Sequence, residues 1–101
     1  MIPTSFKLAG IEVKVEKSDT LIKEKGIIGE SIYTEQKIII DTSHTPKESY
    51  EQTMYHELIH WIFFIMGEDK LRNNEKLVDM MGHLLCQYEK TKVFNEKLIE
   101  K

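Results

Sequence analysis

The sequence has a single cysteine, Cys86, among its 101 residues, so the chain cannot form an internal disulfide. It also lacks a long apolar run, because the longest, 61–66, has six residues where about 20 are needed to cross a bilayer. Residues 1–10 hold one lysine and no long apolar core, unlike a signal peptide. These absences predict a protein of the reducing cytoplasm that has no membrane partner.

The chain also lacks a large excess of charge of either sign. The chain carries 14 basic and 17 acidic residues, a formal charge of −3, which argues against nucleic-acid binding as the main function. Hydrophobic residues make up 41% of the chain, the share expected of a globular protein. A chain of 101 residues without a Pro/Gly-rich linker predicts one domain.

The first part of the chain has the pattern of β-strands. Apolar and polar residues alternate over 6–15 around an Ala-Gly pair, which predicts two short strands or one bulged strand. Residues 28–34 and 37–41 are further candidate strands, close enough together for a hairpin. Residues 17–25 fit a loop or a short helix equally well. The period becomes helical near Thr45, so the sequence predicts an α+β fold in which a small antiparallel or mixed three-stranded sheet packs on helices.

The first helix has clear start and stop signals. Thr45 offers a hydroxyl to cap the first turn, Pro46 suits the first helical position, and Glu48 follows three residues after Thr45. Gly67 can supply the left-handed residue that ends a helix at about Met66. The sequence therefore predicts a helix from about 46 to 66.

A second, C-terminal helix is predicted to begin at Asn73 or Asn74 as its cap and to carry an apolar stripe over 77–88. The sequence does not define the residue at which this helix ends. Four apolar residues near the terminus either extend the helix or form a short docked tail: Val93, Phe94, Leu98 and Ile99.

The first predicted helix contains an HExxH run, His56-Glu57-Leu58-Ile59-His60. Two histidines at this spacing project from one face of a helix, about one turn apart, so that both imidazoles can bind one zinc ion. Glu57 is then placed to act as general base on the zinc-bound water. The run predicts a catalytic Zn²⁺ site with His56 and His60 as ligands.

A catalytic zinc needs a third protein ligand, and the start of the second helix offers Glu75. Asp79, one turn further along, can accept a hydrogen bond from the non-ligating nitrogen of a zinc histidine, in the first place His56. Glu75 is also what an ordinary first helical turn favours. His83 is an alternative third ligand or an electrophile, although a packed structural histidine is the simpler interpretation.

The two motifs together resemble a known group. HExxH at 56–60 followed by NExxxD at 74–79 resembles the gluzincin pattern of thermolysin-type metallopeptidases, in which the helix Glu is the third zinc ligand and the Asp supports a histidine. In length and layout the chain is more similar to the minimal zincin-like metallopeptidases of phages and prophages, and more distantly to the ImmA/IrrE-type family. The similarity extends through 38–41, 51–53 and 66–68. It implies a sheet packed on the active-site helix, an edge strand beside the substrate, and peptide-bond hydrolysis, in the host cytoplasm if the protein is phage-encoded.

The expected function is that of a zinc metallopeptidase acting on a protein or peptide substrate. Glu57 takes a proton from the zinc-activated water, and a substrate strand adds to a sheet edge near Lys37–Asp41. Tyr33, Tyr55 and His83 are candidate stabilisers of the transition state. The alternative is a zinc-stabilised binding module of phage or prophage origin without catalysis, and Glu57 favours the enzyme because a structural site has no use for a carboxylate there.

Overall fold

Alternating apolar residues build a four-stranded sheet in the computed structural model, which describes residues 1–95. The strand order is β1-β2-β4-β3, with β2 parallel to β4 and the other two pairs antiparallel. The strands are β1 (Ser5–Leu8), β2 (Ile11–Ser18), β3 (Gly29–Ile32) and β4 (Lys37–Asp41). The predicted α+β class is confirmed. The predicted count of three strands is wrong, because 6–15 forms two strands and not one bulged strand.

The first two strands are joined by a tight hairpin turn. Ala9 and Gly10 both have positive φ, 49° and 79°, as in the two-residue turns that match the twist of a hairpin. Leu8 therefore lies opposite Ile11.

The parallel pairing of β2 and β4 requires a crossover connection. Residues 17–25, which fit a loop or a short helix equally well by sequence, form part of it. A short helix, α1 (Leu21–Lys25), follows β2. The hydroxyl of Ser18 accepts the N–H groups of Thr20 and Leu21, both at 3.1 Å. After α1 the chain runs through β3 and a 3₁₀ turn, Tyr33–Glu35, into β4, so the predicted strand 28–34 is shorter than expected.

The long helix α2 (Lys47–Met66) has nearly the predicted bounds. Gly67 ends it with φ 73°, which confirms the predicted stop. The predicted Thr45 cap is wrong. Pro46 directly precedes the helix and no side chain caps it, because the Thr45 hydroxyl donates instead to the carbonyl of Asp41 at 3.5 Å.

Two further helices complete the described chain, α3 (Asp69–Arg72) and α4 (Glu75–Thr91). The Asn74 side chain accepts the N–H of Leu77 at 3.1 Å, so Asn74 is the cap of α4. Val93 and Phe94 follow α4 and are 91% and 71% exposed, so neither is docked. Leu98 and Ile99 lie outside the described residues.

The core has two parts with α2 between them. On one side α2 packs on the sheet through a cluster of Ile2, Val13, Val15, Ile38, Ile40, Met54 and Trp61. On the other side Ile59 and Phe63 pack on Val78 of α4. Because α4 packs mainly on α2, the contact between these two helices fixes how their side chains face each other. Within residues 1–95, no helix combines the length and the apolar character that crossing a membrane requires.

A buried carboxylate, Asp41, ties the end of β4 to the elements around it. Asp41 is fully buried. Its oxygens accept the N–H groups of Ile22, Ser43 and His44 at 3.0–3.1 Å, and both lie 3.2 Å from the His44 ring. Burial by itself raises the pKa of Asp41, but these hydrogen bonds outweigh it and lower the pKa from 3.8 to about 2.

This lowered pKa predicts acid sensitivity. A carboxyl whose pKa is lower in the folded chain stabilises the fold above its unfolded pKa and ceases to do so as the pH falls through its folded pKa. The Asp41 contribution is therefore expected to disappear between about pH 4 and pH 2. Asp41→Asn should unfold several degrees lower at neutral pH and lose less stability across that window. Thermal unfolding with a chelator present at each pH measures both, and equal losses in the two proteins would contradict the assignment.

Candidate metal centre

One face of α2 presents the two histidines of the HExxH run. The rings of His56 and His60 lie with centroids 4.9 Å apart, at 62° to each other. One donor nitrogen from each ring and a carboxylate oxygen of Glu57 all lie within 4.8 Å of one another. The helical spacing predicted from the sequence is therefore present, and both histidines are half-buried.

The first residue of α4 closes the cluster from the other side. Glu75 lies with one carboxylate oxygen 3.1 Å from Nε2 of His56 and the other 3.2 Å from Nε2 of His60. Zinc bonds of about 2.0–2.1 Å in tetrahedral geometry place neighbouring ligand atoms roughly 3.3 Å apart. The chemistry of the three side chains and the two distances from Glu75 to the histidines therefore fit a zinc ion.

The second nitrogen of His56 has its own partner. Nδ1 of His56 lies 3.3 Å from a carboxylate oxygen of Asp79, one turn after Glu75 on α4. This contact is the one predicted from the sequence. A carboxylate there holds the ring so that Nε2 faces Glu75 and His60.

Glu57 belongs to a different environment from the other acidic groups of the site. It is 7% exposed, and its Oε1 accepts a hydrogen bond from the Ser31 hydroxyl at 2.7 Å. Ser31 lies on β3, so the sheet orients the carboxylate that α2 supplies. Sequence reasoning did not identify Ser31.

Two glycines allow the elements around the site to approach closely. A Cβ on Gly82 of α4 would lie 2.9 Å from the main-chain N and Cα of His56. A Cβ on Gly29 of β3 would lie 2.5 Å from the Thr53 methyl and 3.3 Å from Cγ of Glu57. Because real Cβ atoms do not approach other atoms this closely, these positions need glycine to keep α4 and β3 at their present distances from α2.

A cleft of about 530 Å³ opens beside these residues. It is lined by 26–29 before and within β3, by Ser49, Gln52 and Thr53 of α2, and by His56, Glu57 and Asp79. Its lining is uncharged away from the metal cluster. The cleft is therefore open to a ligand that lies along β3.

The strand that borders the cleft is β3 and not β4. The predicted substrate edge at Lys37–Asp41 is wrong, because β4 is paired on one side with β2 and on the other with β3. The N–H of Asp41 donates to the carbonyl of Ile28, so alternate residues of β3 turn their main-chain groups toward β4. Gly29 and Ser31 turn theirs to the outer side, where no described strand pairs with them.

The three candidate stabilisers lie in different places. Tyr33 directly follows β3, packs on Phe64 at 4.3 Å and on Trp61 at 4.9 Å, and lies under the Arg72 guanidinium at 5.1 Å. Burial raises the pKa of Tyr33, Arg72 opposes that rise, and the charge of Glu57 adds to it. Tyr33 does not line the cleft, but it is close enough to Glu57 for that charge to affect its pKa.

The structure does not bring Tyr55 or His83 into the cluster. Tyr55 lines a separate groove with Leu58 and Lys90, since it points from a different face of α2 than His56. Burial and then the charge of Glu89 raise its pKa. His83 is exposed on α4, one turn beyond Asp79, and takes no part in the metal group found within residues 1–95.

Compared with known proteins, the chain matches no family model, and no curated protein and no solved structure shows significant similarity to it.

Proposed function

We propose that this protein is a zinc-dependent metallopeptidase of the zincin-like, gluzincin type, whose ligands are His56, His60 and Glu75. The observation that carries the proposal is the Glu75 carboxylate, which bridges the Nε2 atoms of both histidines at 3.1 and 3.2 Å while Glu57 lies beside them. Two imidazoles and one carboxylate are a ligand set of catalytic zinc, which leaves a fourth position for water.

The two glutamates have different roles in this proposal. Glu75 lies 3.1 and 3.2 Å from the two histidine nitrogens, on the open side of the site, whereas Glu57 also lies within 4.8 Å of them but is turned toward the sheet. Glu57 is instead buried and held by Ser31. A carboxylate held next to the metal without ligating it is suited to act as general base.

The chemistry follows from these positions. Zinc held by His56, His60 and Glu75 would supply a Lewis acid and would lower the pKa of a water molecule toward about 7. Glu57 takes the proton as water attacks the scissile carbonyl, and then donates it to the leaving amine. Ser31 keeps the carboxylate of Glu57 pointing into the cleft during both transfers. Tyr33 is the best placed of the candidate stabilisers for the developing oxyanion.

The substrate in this proposal is an extended protein or peptide segment. The outward N–H and C=O groups of Gly29 and Ser31 can pair with the main chain of such a segment, as in strand addition to a sheet edge. The Ser31 hydroxyl binds Glu57 at 2.7 Å, so a segment paired with β3 runs past the base and the metal ligands. Gly29 and Ser31 have small side chains, which leave room for such a segment beside β3.

Metal content tests the proposal. Wild type should contain near-stoichiometric zinc by elemental analysis, and Glu75→Ala should lose it, with an affinity drop beyond the roughly 100-fold upper end seen for outer-shell partners. Asp79→Ala should lie within about 10- to 100-fold. His83→Ala, an exposed change on the same helix, should keep zinc. Zinc kept by Glu75→Ala and lost by His83→Ala would reverse the ligand assignment, and a wild type without zinc after metal-supplemented refolding would end the proposal.

A further inference from the structure

A second groove, also of about 530 Å³, lies apart from the metal cleft. The groove and the metal cleft share no lining residue. The residues of α2 that line the groove, 47, 51, 54, 55 and 58, lie on the opposite face of the helix from those that line the cleft. Its floor is apolar, formed by Ile2, Phe6, Leu8, Met54, Tyr55 and Leu58.

The groove exists because β1 extends beyond the helices. In the sheet α2 packs chiefly against β3 and β4, and α4 packs on α2. Phe6 and Leu8 of β1 face the helical side but are only half-buried. An apolar strip is therefore left between β1 and the side of α2.

The charges around the groove are unbalanced. Both of its carboxylates are already paired: Glu51, buried, with Lys90 at 2.9 Å and with the amino group of Met1, and Glu89 with Lys92 at 3.0 Å. Lys7 and Lys47 also line the groove, and neither forms an ion pair within residues 1–95. The groove thus combines an apolar floor with two unmatched positive charges.

We propose that this groove binds a fatty carboxylate, with the alkyl chain along the apolar floor and the carboxylate at Lys7 and Lys47. The volume falls within the range of about 300–1,000 Å³ of small-molecule sites, which are mostly apolar with a few polar groups that orient the ligand. An anion is the complement of two lining lysines that form no ion pair within residues 1–95, and an alkyl chain is the complement of the apolar floor, where the Tyr55 hydroxyl is the one polar group. The site is independent of the metal centre.

Decanoate is the probe, titrated by calorimetry into the full chain with its metal content unchanged, and the positions of the NMR shifts distinguish binding in the groove from binding at the metal cleft. We expect one molecule bound, with amide shifts by NMR centred on Phe6, Leu8, Met54 and Leu58 and not on 26–29 of the metal cleft. Hexanoate should bind at least about tenfold more weakly, since each buried methylene contributes. Acetate should cause no shifts at the groove.

Charge variants decide the role of the lysines. Lys7→Gln with Lys47→Gln should weaken decanoate about five- to tenfold, while Lys14→Gln with Lys23→Gln, exposed lysines elsewhere, should leave the affinity unchanged. Equal binding of decyltrimethylammonium would overturn the proposal, since the groove would then select only for an apolar chain. Absence of decanoate binding would also overturn it, and a dimer by sedimentation with the groove protected would assign the groove to a second copy of the chain.

Discussion

Glu57→Gln is expected to keep zinc at the wild-type level and to lose peptidase turnover by about 10²- to 10⁴-fold, the share of the rate that a positioned general base supplies. The amide has nearly the shape of the carboxylate and can still contact the Ser31 hydroxyl, so the buried position remains filled. It cannot accept the proton of the attacking water. Turnover is measured on a fluorogenic peptide library at neutral pH, alongside zinc by elemental analysis.

The matched control is Glu48→Gln, an exposed position in the first turn of the same helix, which should change neither zinc nor turnover. Full activity in Glu57→Gln would remove Glu57 from the mechanism. A wild type that holds zinc, unfolds earlier when zinc is removed and cleaves no library member would favour the zinc-stabilised binding module over the enzyme.

Gly82→Ala is expected to destabilise the protein and weaken zinc binding together. In an open helix this change stabilises by about 1 kcal/mol through helix propensity. Here the new methyl would lie 2.9 Å from the main chain of His56, and overpacking costs about 1–3 kcal/mol. The clash is with backbone, which cannot rotate away, so α4 must move off α2. The net loss is up to about 2 kcal/mol, so we expect the melting temperature to fall by several degrees.

Zinc affinity should fall at least about tenfold in the same variant, because the displaced helix carries Glu75 and Asp79 while His56 remains on α2. Gln87→Ala, exposed on α4, controls for helix propensity and should leave zinc affinity unchanged. A melting temperature above that of wild type in Gly82→Ala would contradict the close packing, since relief of the glycine alone would then dominate.

The parts of the site that are local in sequence could be predicted from it. The facing of His56 and His60 follows from helical periodicity, and Gly67 marks the helix end through its left-handed φ. Asn74 was one of two candidate caps, and its hydrogen bond to Leu77 distinguishes it from Asn73. In these cases one residue type and its immediate neighbours determine the geometry.

The non-local parts could not be predicted. Nothing within β2 or β4 specifies that they pair in parallel, so the sequence alone predicts a substrate edge at Lys37–Asp41, whereas the edge strand beside the cleft is β3, with Gly29 and Ser31. The hydrogen bond from Ser31 to Glu57 joins residues on separate elements. Gly82 did leave a signal, because an isolated glycine within an apolar helical stripe costs helix stability and indicates close packing, but its contact with His56 depends on how α4 crosses α2.

The dependence of α4 on α2 has a consequence for how long the proposed zinc ion would stay bound. Two acidic groups of the candidate centre, Glu75 and Asp79, belong to a helix that packs mainly on one other helix. Such a helix can detach as a unit while the sheet and α2 stay folded. The residence time of zinc would then be governed by this partial opening and not by global unfolding, and bound metal would in turn hold the two helices together.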